Sequence, residues 1–222
     1  ACAPSPADSE SDTAVVPQRL LFRLPLARPE DISTLVGVDH DPEVHDDSVL
    51  GGAICTTYDE RHFPHCYDEH DGSDYLLDGG FDAMDAGSSP VVAAADGVVV
   101  SVHDGEYDRC HAQDGGVSCD GHPMVANHVI VEHEDGVRTK YWHLKTGSPT
   151  VAEGDAVRCG DTLGLIGSSG ISSTPHLHFE VELADGSVLD PYAGTMSQPE
   201  SWWVEQNEPD ELPGTNCASV GR

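Results

Sequence analysis

The sequence predicts an all-β, mainly antiparallel single domain with a disulfide-tied N-terminal extension. Three observations carry that prediction. From Val91 onward, short apolar runs are cut at close intervals by Asp-Gly and Gly-rich turns, and Glu134-Asp135-Gly136-Val137 between two such runs is a strong hairpin signal. No long stretch keeps the apolar period of an amphipathic helix. Finally, His176-Leu177-His178-Phe179-Glu180-Val181 alternates residue by residue. A strand points successive side chains to opposite faces, so both imidazoles share one face while Leu177, Phe179 and Val181 share the other.

Taken in order, residues 1–17 read as a disordered tether rich in Ala, Pro, Ser and acids. Cys2, behind the small residue Ala1, resembles the lipid-bearing start of a mature bacterial lipoprotein. No apolar run approaches the roughly 20 residues needed to span a bilayer, so any membrane attachment would be by that anchor. Residues 18–69 form the N-terminal extension, opening on a strand-like Leu20 to Leu26 and continuing through an acidic irregular stretch. Asp39-His40-Asp41 and His45-Asp46-Asp47 carry calcium-type ligands, but no ligand spacing repeats, and they read as solvated loop. Residues 70–195 form the main domain. The Pro- and acid-rich tail, 196–222, is expected to wrap it, tied by Cys217 and covered by Trp202 and Trp203.

Seven cysteines are present. With Cys2 set aside the number is even, which suits disulfides formed in an oxidising compartment. The sequence-local pairing is Cys55 with Cys66, Cys110 with Cys119, and Cys159 with Cys217. Cys110-His111 and Cys119-Asp120-Gly121-His122 have a superficial zinc-finger look, but the cysteines are spaced too far apart for a knuckle.

Ten basic residues against 40 acidic ones leave a formal charge of −30, and Lys140 and Lys145 are the only lysines. Nucleic acid is excluded as a partner for want of a basic footprint. A bare anionic membrane surface is disfavoured by the same repulsion.

The chemistry gathers in three segments. A Gly/Ser-rich turn, Ser168 to Thr174, leads through Pro175 into the His176/His178 pair. Upstream, His70 and Asp74 stand four apart around Gly72. Two imidazole nitrogens and one carboxylate make a three-ligand catalytic zinc set with a position left for water. His143 ends the strand-like run Lys140-Tyr141-Trp142-His143-Leu144.

In that order, these segments resemble the lysostaphin/LytM type of zinc metallopeptidase, the family that also holds the beta-lytic enzymes. Its pattern is His-x-Gly-x-Asp, a later aromatic-x-His-Leu, then a small-residue turn into His-Leu-His-Phe-Glu. The resemblance covers about His70 to Tyr192. Within it, Pro90 to Val100 resembles the family's first long hairpin, Asn127 to Gly136 its central strand and turn, and Gly154 to Gly167 the strands before the histidine pair. It implies a sandwich of the LytM-peptidase (duplicated hybrid motif) type. It also implies a Zn2+ endopeptidase that hydrolyses the peptide cross-links of bacterial peptidoglycan, with zinc-bound water as nucleophile, acting outside the cytoplasm. His70, Asp74 and His178 would be the metal ligands. No His-Glu-x-x-His helix supplies a glutamate base, so His143 and His176 would serve as general base and oxyanion stabiliser, in one order or the other. An extended peptide would lie in a narrow groove that suits small residues at the cut.

One departure stands out. Tyr75 to Gly87 separate the first motif from the hairpin, where the family has only a few residues. A second alignment would put Asp82 in the Asp position and Asp78 in the His position. His70 and Asp74 are preferred because they keep the Gly and zinc's nitrogen preference, and the insertion would form a loop at the cleft rim. Glu180 shares the histidine face, where it would either orient a histidine or end the strand in solvent. His128 and His133 lie near enough to the central strand for one to support the site. Along with His40, His45, His62, His65, His103, His111 and His122, they receive no direct role. Two rival functions remain: a catalytically silent LytM-like scaffold that binds the wall or regulates other hydrolases, and a lipoyl-like carrier domain. The carrier needs a lysine at its hairpin tip, where neither Lys140 nor Lys145 lies.

Overall fold

The structure, a computed structural model, describes residues 19–45, 52–209 and 211–219. The tether with Cys2, and Asp46 and Asp47 of the acidic stretch, lie outside them. In chain order the elements are β1 (Ile32–Val36), β2 (Ser73–Leu77), α1 (Gly80–Ala86), β3 (Pro90–Val92), β4 (Gly97–His103) and β5 (His111–Gln113). They continue with β6 (Gly116–Ser118), β7 (His128–Glu132), β8 (Arg138–Trp142), β9 (Ala156–Val157), β10 (Thr162–Leu165) and β11 (His176–Glu182). Seven strands form one antiparallel sheet in the order β1-β2-β11-β8-β7-β4-β9, with β10-β3 and β5-β6 as separate two-stranded ribbons. Among the described residues, no helix is long and apolar enough to cross a membrane.

The alternation of β11 sets the layers. Leu177, Phe179 and Val181 are buried with Tyr75 and Leu77 of β2, Tyr141 of β8 and Val129 and Val131 of β7. Val91 of β3, Leu163 of β10 and Ile166 join the same core, so the β3–β10 ribbon covers this face of the sheet. Burying a side chain such as Phe179 stabilises by about 1.5–3 kcal/mol. Phenolic groups inside need partners, and the Tyr141 hydroxyl oxygen accepts from the Ala94 N–H at 2.8 Å and from Thr139 Oγ1 at 3.0 Å. The opposite face of β11, with its neighbours β2 and β8, is left for His176, His178 and Glu180.

All three expected disulfides are present: Cys55–Cys66, Cys110–Cys119 and Cys159–Cys217. Because Cys110 and Cys119 bond each other, the finger-like zinc reading is removed. Trp203 enters the core from the tail, and Cys217 ties that tail to the turn before β10.

Three local expectations are corrected. The insertion after Asp74 is not a plain loop: it completes β2 and then forms α1, which begins and ends at left-handed glycines, Gly79 (φ 76°) and Gly87 (φ 145°). Two turns of helix are too short to show a period in the sequence. Pro90 to Val100 is a corner and not a hairpin, because β3 pairs with β10 while β4 pairs with β7 and β9. The Leu20–Leu26 stretch makes only isolated bridges, Phe22 to Trp203 and Leu26 to Val91, since Pro25 removes a ladder donor. Phe22, Leu24 and Leu26 are nevertheless fully buried.

Candidate metal centre

Strand register assembles the site. β2 and β11 pair so that Asp74 stands directly opposite His178. Opposed residues of an antiparallel pair project from the same face with neighbouring Cβ atoms. His70 approaches from the turn before β2, its Nδ1–H donating to the Gly37 carbonyl at 2.7 Å. A carbonyl only accepts, so this bond makes Nδ1 the donor and leaves the Nε2 lone pair facing inward. Tyr67 stacks on the His70 ring at 4.1 Å and donates its hydroxyl to Asp74 Oδ2 at 3.2 Å. Gly37 and Tyr67, both upstream of His70, therefore support two of the three candidate ligands.

The donor atoms converge. His70 Nε2 is 3.2 Å from His178 Nδ1 and 3.2 Å from Asp74 Oδ1, and His178 Nδ1 is 2.9 Å from Asp74 Oδ1. Ligands at zinc's usual bond lengths in a tetrahedron stand about 3.3 Å apart. The lone pair of His70 Nε2 meets a carboxylate oxygen, two acceptors face to face, and only a cation or a proton between them reconciles that contact. The residues present fit a zinc ion.

Gly72 explains itself by space alone. A Cβ there would lie 2.5 Å from His178 Nε2 and 2.9 Å from the Phe179 carbonyl oxygen. Asp71, beside it, places Oδ1 3.5 Å from His178 Nε2, on the side of the ring away from Asp74. Glu180 does not touch these histidines by any ion pair; its carboxylate pairs with Lys140 Nζ at 2.8 Å.

His143 and His176 complete the cluster. Alternation along β8 would send His143 to the core face with Tyr141. It instead takes a left-handed φ of 63°, sparsely populated for a side chain of this size. That turn brings its ring to 4.6 Å from His176 and 5.9 Å from His178. Its Nδ1–H donates to the Ser169 carbonyl at 2.6 Å. His176 Nδ1–H donates to the Thr174 carbonyl at 2.7 Å, with Ser172 Oγ at 3.2 Å, and His176 Nε2 stands 3.5 Å from Asp74 Oδ1. In both residues Nε2 keeps its lone pair.

Electrostatics separates the roles. Burial, reinforced by His176 and His178, holds His143 well below the ordinary imidazole range. Burial also lowers His176, against the pull of Asp74. Burial would lower His178 too, but Asp71 and Asp74 prevail and push it up to about 10. Burial opposes ionisation of Asp74, yet the surrounding histidines keep its carboxyl well below the usual range.

The structure thus brings together His70, Asp74, His143, His176 and His178. It leaves the alternative pair elsewhere: Asp78 follows β2 and Asp82 lies in α1, and neither joins a cluster of potential ligands among the described residues. Asp39 accepts the N–H groups of Asp41, Thr56 and Glu69 and so organises its loop, while His40 pairs with Asp190 at 2.8 Å. His133 bonds Asp96 O and Thr139 Oγ1, and His128 bonds Ser101 Oγ, contacts within the sheet. Gly37, Asp71 and Ser169 had no signal of their own, since each acts through a tertiary contact, and Tyr67 had none because its contacts with His70 and Asp74 follow no regular period.

Known proteins resemble this chain in sequence and in fold. A region of 136 residues, 61% of this chain, is 33% identical to the DD-carboxypeptidase/endopeptidase Mpg of Neisseria meningitidis serogroup B, of which it covers 25%. A region of 158 residues, 68% of this chain, is 30% identical to the peptidoglycan DD-endopeptidase ShyB of Vibrio cholerae, of which it covers 31%. The chain thus spans about a quarter to a third of the length of these relatives. In fold it is similar to a chain of the SpoIIQ–SpoIIIAH pore-forming complex, with a TM-score of 0.50 at 22% identity, covering 77% of this chain and 88% of that one. The sequence model of Peptidase family M23 matches residues 76–191, a stretch that holds His143, His176 and His178 and begins just after Asp74. Since that match spans more than half of the 222 residues, the chain belongs to Peptidase family M23.

Proposed function

We propose that this protein is a zinc-dependent endopeptidase that hydrolyses peptide cross-links of bacterial peptidoglycan outside the cytoplasm. The observation that carries the reading is the convergence of His70 Nε2, Asp74 Oδ1 and His178 Nδ1, with two histidines kept neutral by burial beside them. Family membership supports the hydrolase, and the names of the relatives support its substrate. Three disulfides support an oxidising compartment.

His70, Asp74 and His178 would hold the zinc. Bound there, zinc supplies an activated water and a Lewis acid for the peptide carbonyl. The rest falls to the protein. His143 and His176, both neutral near pH 7 and both with Nδ1–H committed to a carbonyl, accept a proton at Nε2. A histidine so protonated donates Nε2–H to the negative charge developing on the substrate oxygen, or to the leaving amine. Thr174 O and Ser169 O hold the two rings for that task, and the Gly37 and Tyr67 contacts hold the ligands.

The test is digestion of purified peptidoglycan by the zinc-loaded protein, with the products read by mass spectrometry. Cross-linked dimers should fall to monomers with glycan strands intact; His178→Ala should release nothing, and His143→Ala should release them about 10²–10⁴-fold more slowly. A wild type that binds the wall without cutting it, and carries no zinc, would establish the silent scaffold. The assembly of all five candidate residues in one place favours the hydrolase over that alternative.

A further inference from the structure

One short turn, Ser168 to Thr174, holds both neutral histidines of the cluster. Its Ser169 carbonyl takes the His143 Nδ1–H and its Thr174 carbonyl takes the His176 Nδ1–H. A run of small residues around a left-handed glycine, Gly170 at φ 77°, has little stiffness of its own. Yet Ser168, Ser169 and Ser172 are fully buried. The stiffness comes from another part of the chain.

The β5–β6 hairpin supplies it. Cys110–Cys119 closes the hairpin, and both cysteines are buried. Cys110 and Ser168 exchange two bonds: the Cys110 N–H donates to Ser168 O at 2.9 Å, and Ser168 Oγ donates to Cys110 O at 2.7 Å. Ala112 N–H donates to Ser173 O at 2.9 Å, and Cys119 Sγ lies 3.4 Å from Gly170 O. The hairpin thus grips the turn at its start, its middle and near its end.

Two buried hydroxyls extend that grip to an imidazole. Ser172 Oγ stands 2.8 Å from Ser168 Oγ, 2.9 Å from the Thr174 carbonyl and 3.2 Å from His176 Nδ1. A hydroxyl carries one proton, and the Cys110 carbonyl takes that of Ser168. The Ser172 proton therefore faces Ser168 Oγ and the Thr174 carbonyl, and a Ser172 lone pair faces the His176 Nδ1–H. The result is an unbroken network from His176 to the disulfide-closed hairpin, in surroundings where a missing partner is costly.

A histidine that takes and returns a proton must keep Nε2 aimed at the reacting atoms, and a displacement of about 1 Å can cost about 10²-fold in rate. We propose that the β5–β6 hairpin, closed by Cys110–Cys119, is a positioning clamp for His143 and His176, with Ser168 and Ser172 as the positioning residues that carry its hold to His176. The proposal rests on the hydrolase reading. Ser172 acts through the ring rather than on substrate: the cavity of about 630 Å³ beside Asp74 and His176 takes Ile171, Ser173 and Thr174 from this turn, while Ser172 is buried behind it.

The experiment uses the zinc-loaded protein, soluble cross-linked muropeptides as substrate, and proton NMR of the imidazole N–H groups. His70, His143 and His176 each donate Nδ1–H to a carbonyl and should give three exchange-protected downfield signals. Ser172→Ala should lower kcat by about tenfold or more, with KM changed less than about twofold and zinc content unchanged. Its His176 signal should be lost to exchange while that of His70 persists. Cys110→Ser with Cys119→Ser should weaken the His143 and His176 signals together and lower kcat similarly. Cys159→Ser with Cys217→Ser, which opens a disulfide away from the turn, should keep both signals and kcat when measured below its unfolding temperature. Should the Cys110/Cys119 variant fail to fold by circular dichroism, Ser172→Ala decides alone. Wild-type kcat and an intact His176 signal in Ser172→Ala, or equal losses in the two cysteine-pair variants, would overturn the clamp and leave the hydrolase standing. A loaded wild type that cuts nothing would overturn the hydrolase reading, while the imidazole signals, which need no turnover, still decide whether the hairpin holds the two rings.

Discussion

Replacing Gly72 with alanine is expected to weaken the metal centre without removing any ligand. The added Cβ would sit 2.5 Å from Nε2 and 2.6 Å from Cε1 of His178, with the Phe179 carbonyl oxygen at 2.9 Å behind. Ordinary contact between such atoms begins near 3.5 Å, so the imidazole or the turn must retreat by about 1 Å. His178 lies in a buried strand between β2 and β8 and has little room to yield. Its Nδ1 would leave the position shared with His70 Nε2 and Asp74 Oδ1. Disturbance of a ligand's support typically lowers metal affinity by about 10–100-fold, or about 1.4–2.7 kcal/mol. The assay is competition for zinc against a chromophoric chelator, with circular dichroism to verify the fold. Gly37→Ala is the control, since its Cβ would meet nothing closer than 3.7 Å while the carbonyl to His70 is kept. Wild-type zinc affinity in Gly72→Ala, or an equal loss in Gly37→Ala, would refute the reasoning.

Other outcomes follow from the same geometry. His143→Ala and His176→Ala should retain zinc and lose about 10²–10⁴ in kcat, whereas His178→Ala should lose the zinc; metal analysis beside turnover separates the two classes. Because Asp71 and Asp74 keep the His178 proton up to about pH 10, a metal taking Nδ1 must displace it. Zinc affinity should therefore rise by about tenfold per pH unit from about pH 6.5 to about 8, and calorimetry showing no proton release would contradict this. Cys159–Cys217 spans 58 residues and Cys110–Cys119 spans 9. Replacing the first pair by serine should cost about 4 kcal/mol and the second about 2.5–3 kcal/mol on the chain-entropy account, read by denaturant unfolding.

Much of the site was legible because it depends on local periodicity. The His-Leu-His alternation places two imidazoles on one face of any strand, and the spacing from His70 to Asp74 around Gly72 needed only the register of β2 against β11 to become a cluster. His143 was legible only through the family pattern. By alternation it belongs in the core, and a left-handed backbone angle that no composition reveals turns it toward the site. The Gly37 carbonyl was invisible because it is a backbone group 33 residues from His70, and Tyr67 because its contacts with His70 and Asp74 follow no regular period. The β3–β4 corner read as a hairpin since Asp96-Gly97 marks a turn without saying which strands it joins.

One zinc ion at His70, Asp74 and His178 would make this protein a wall hydrolase. The most direct test is a zinc titration of chelator-stripped protein, with release of cross-link peptides from peptidoglycan recorded at each step. Activity that climbs to a plateau at one equivalent, and is absent throughout in Asp74→Asn, is the expected result. Peptide release that is independent of zinc, or a wild type that binds one equivalent and releases nothing, would contradict the account.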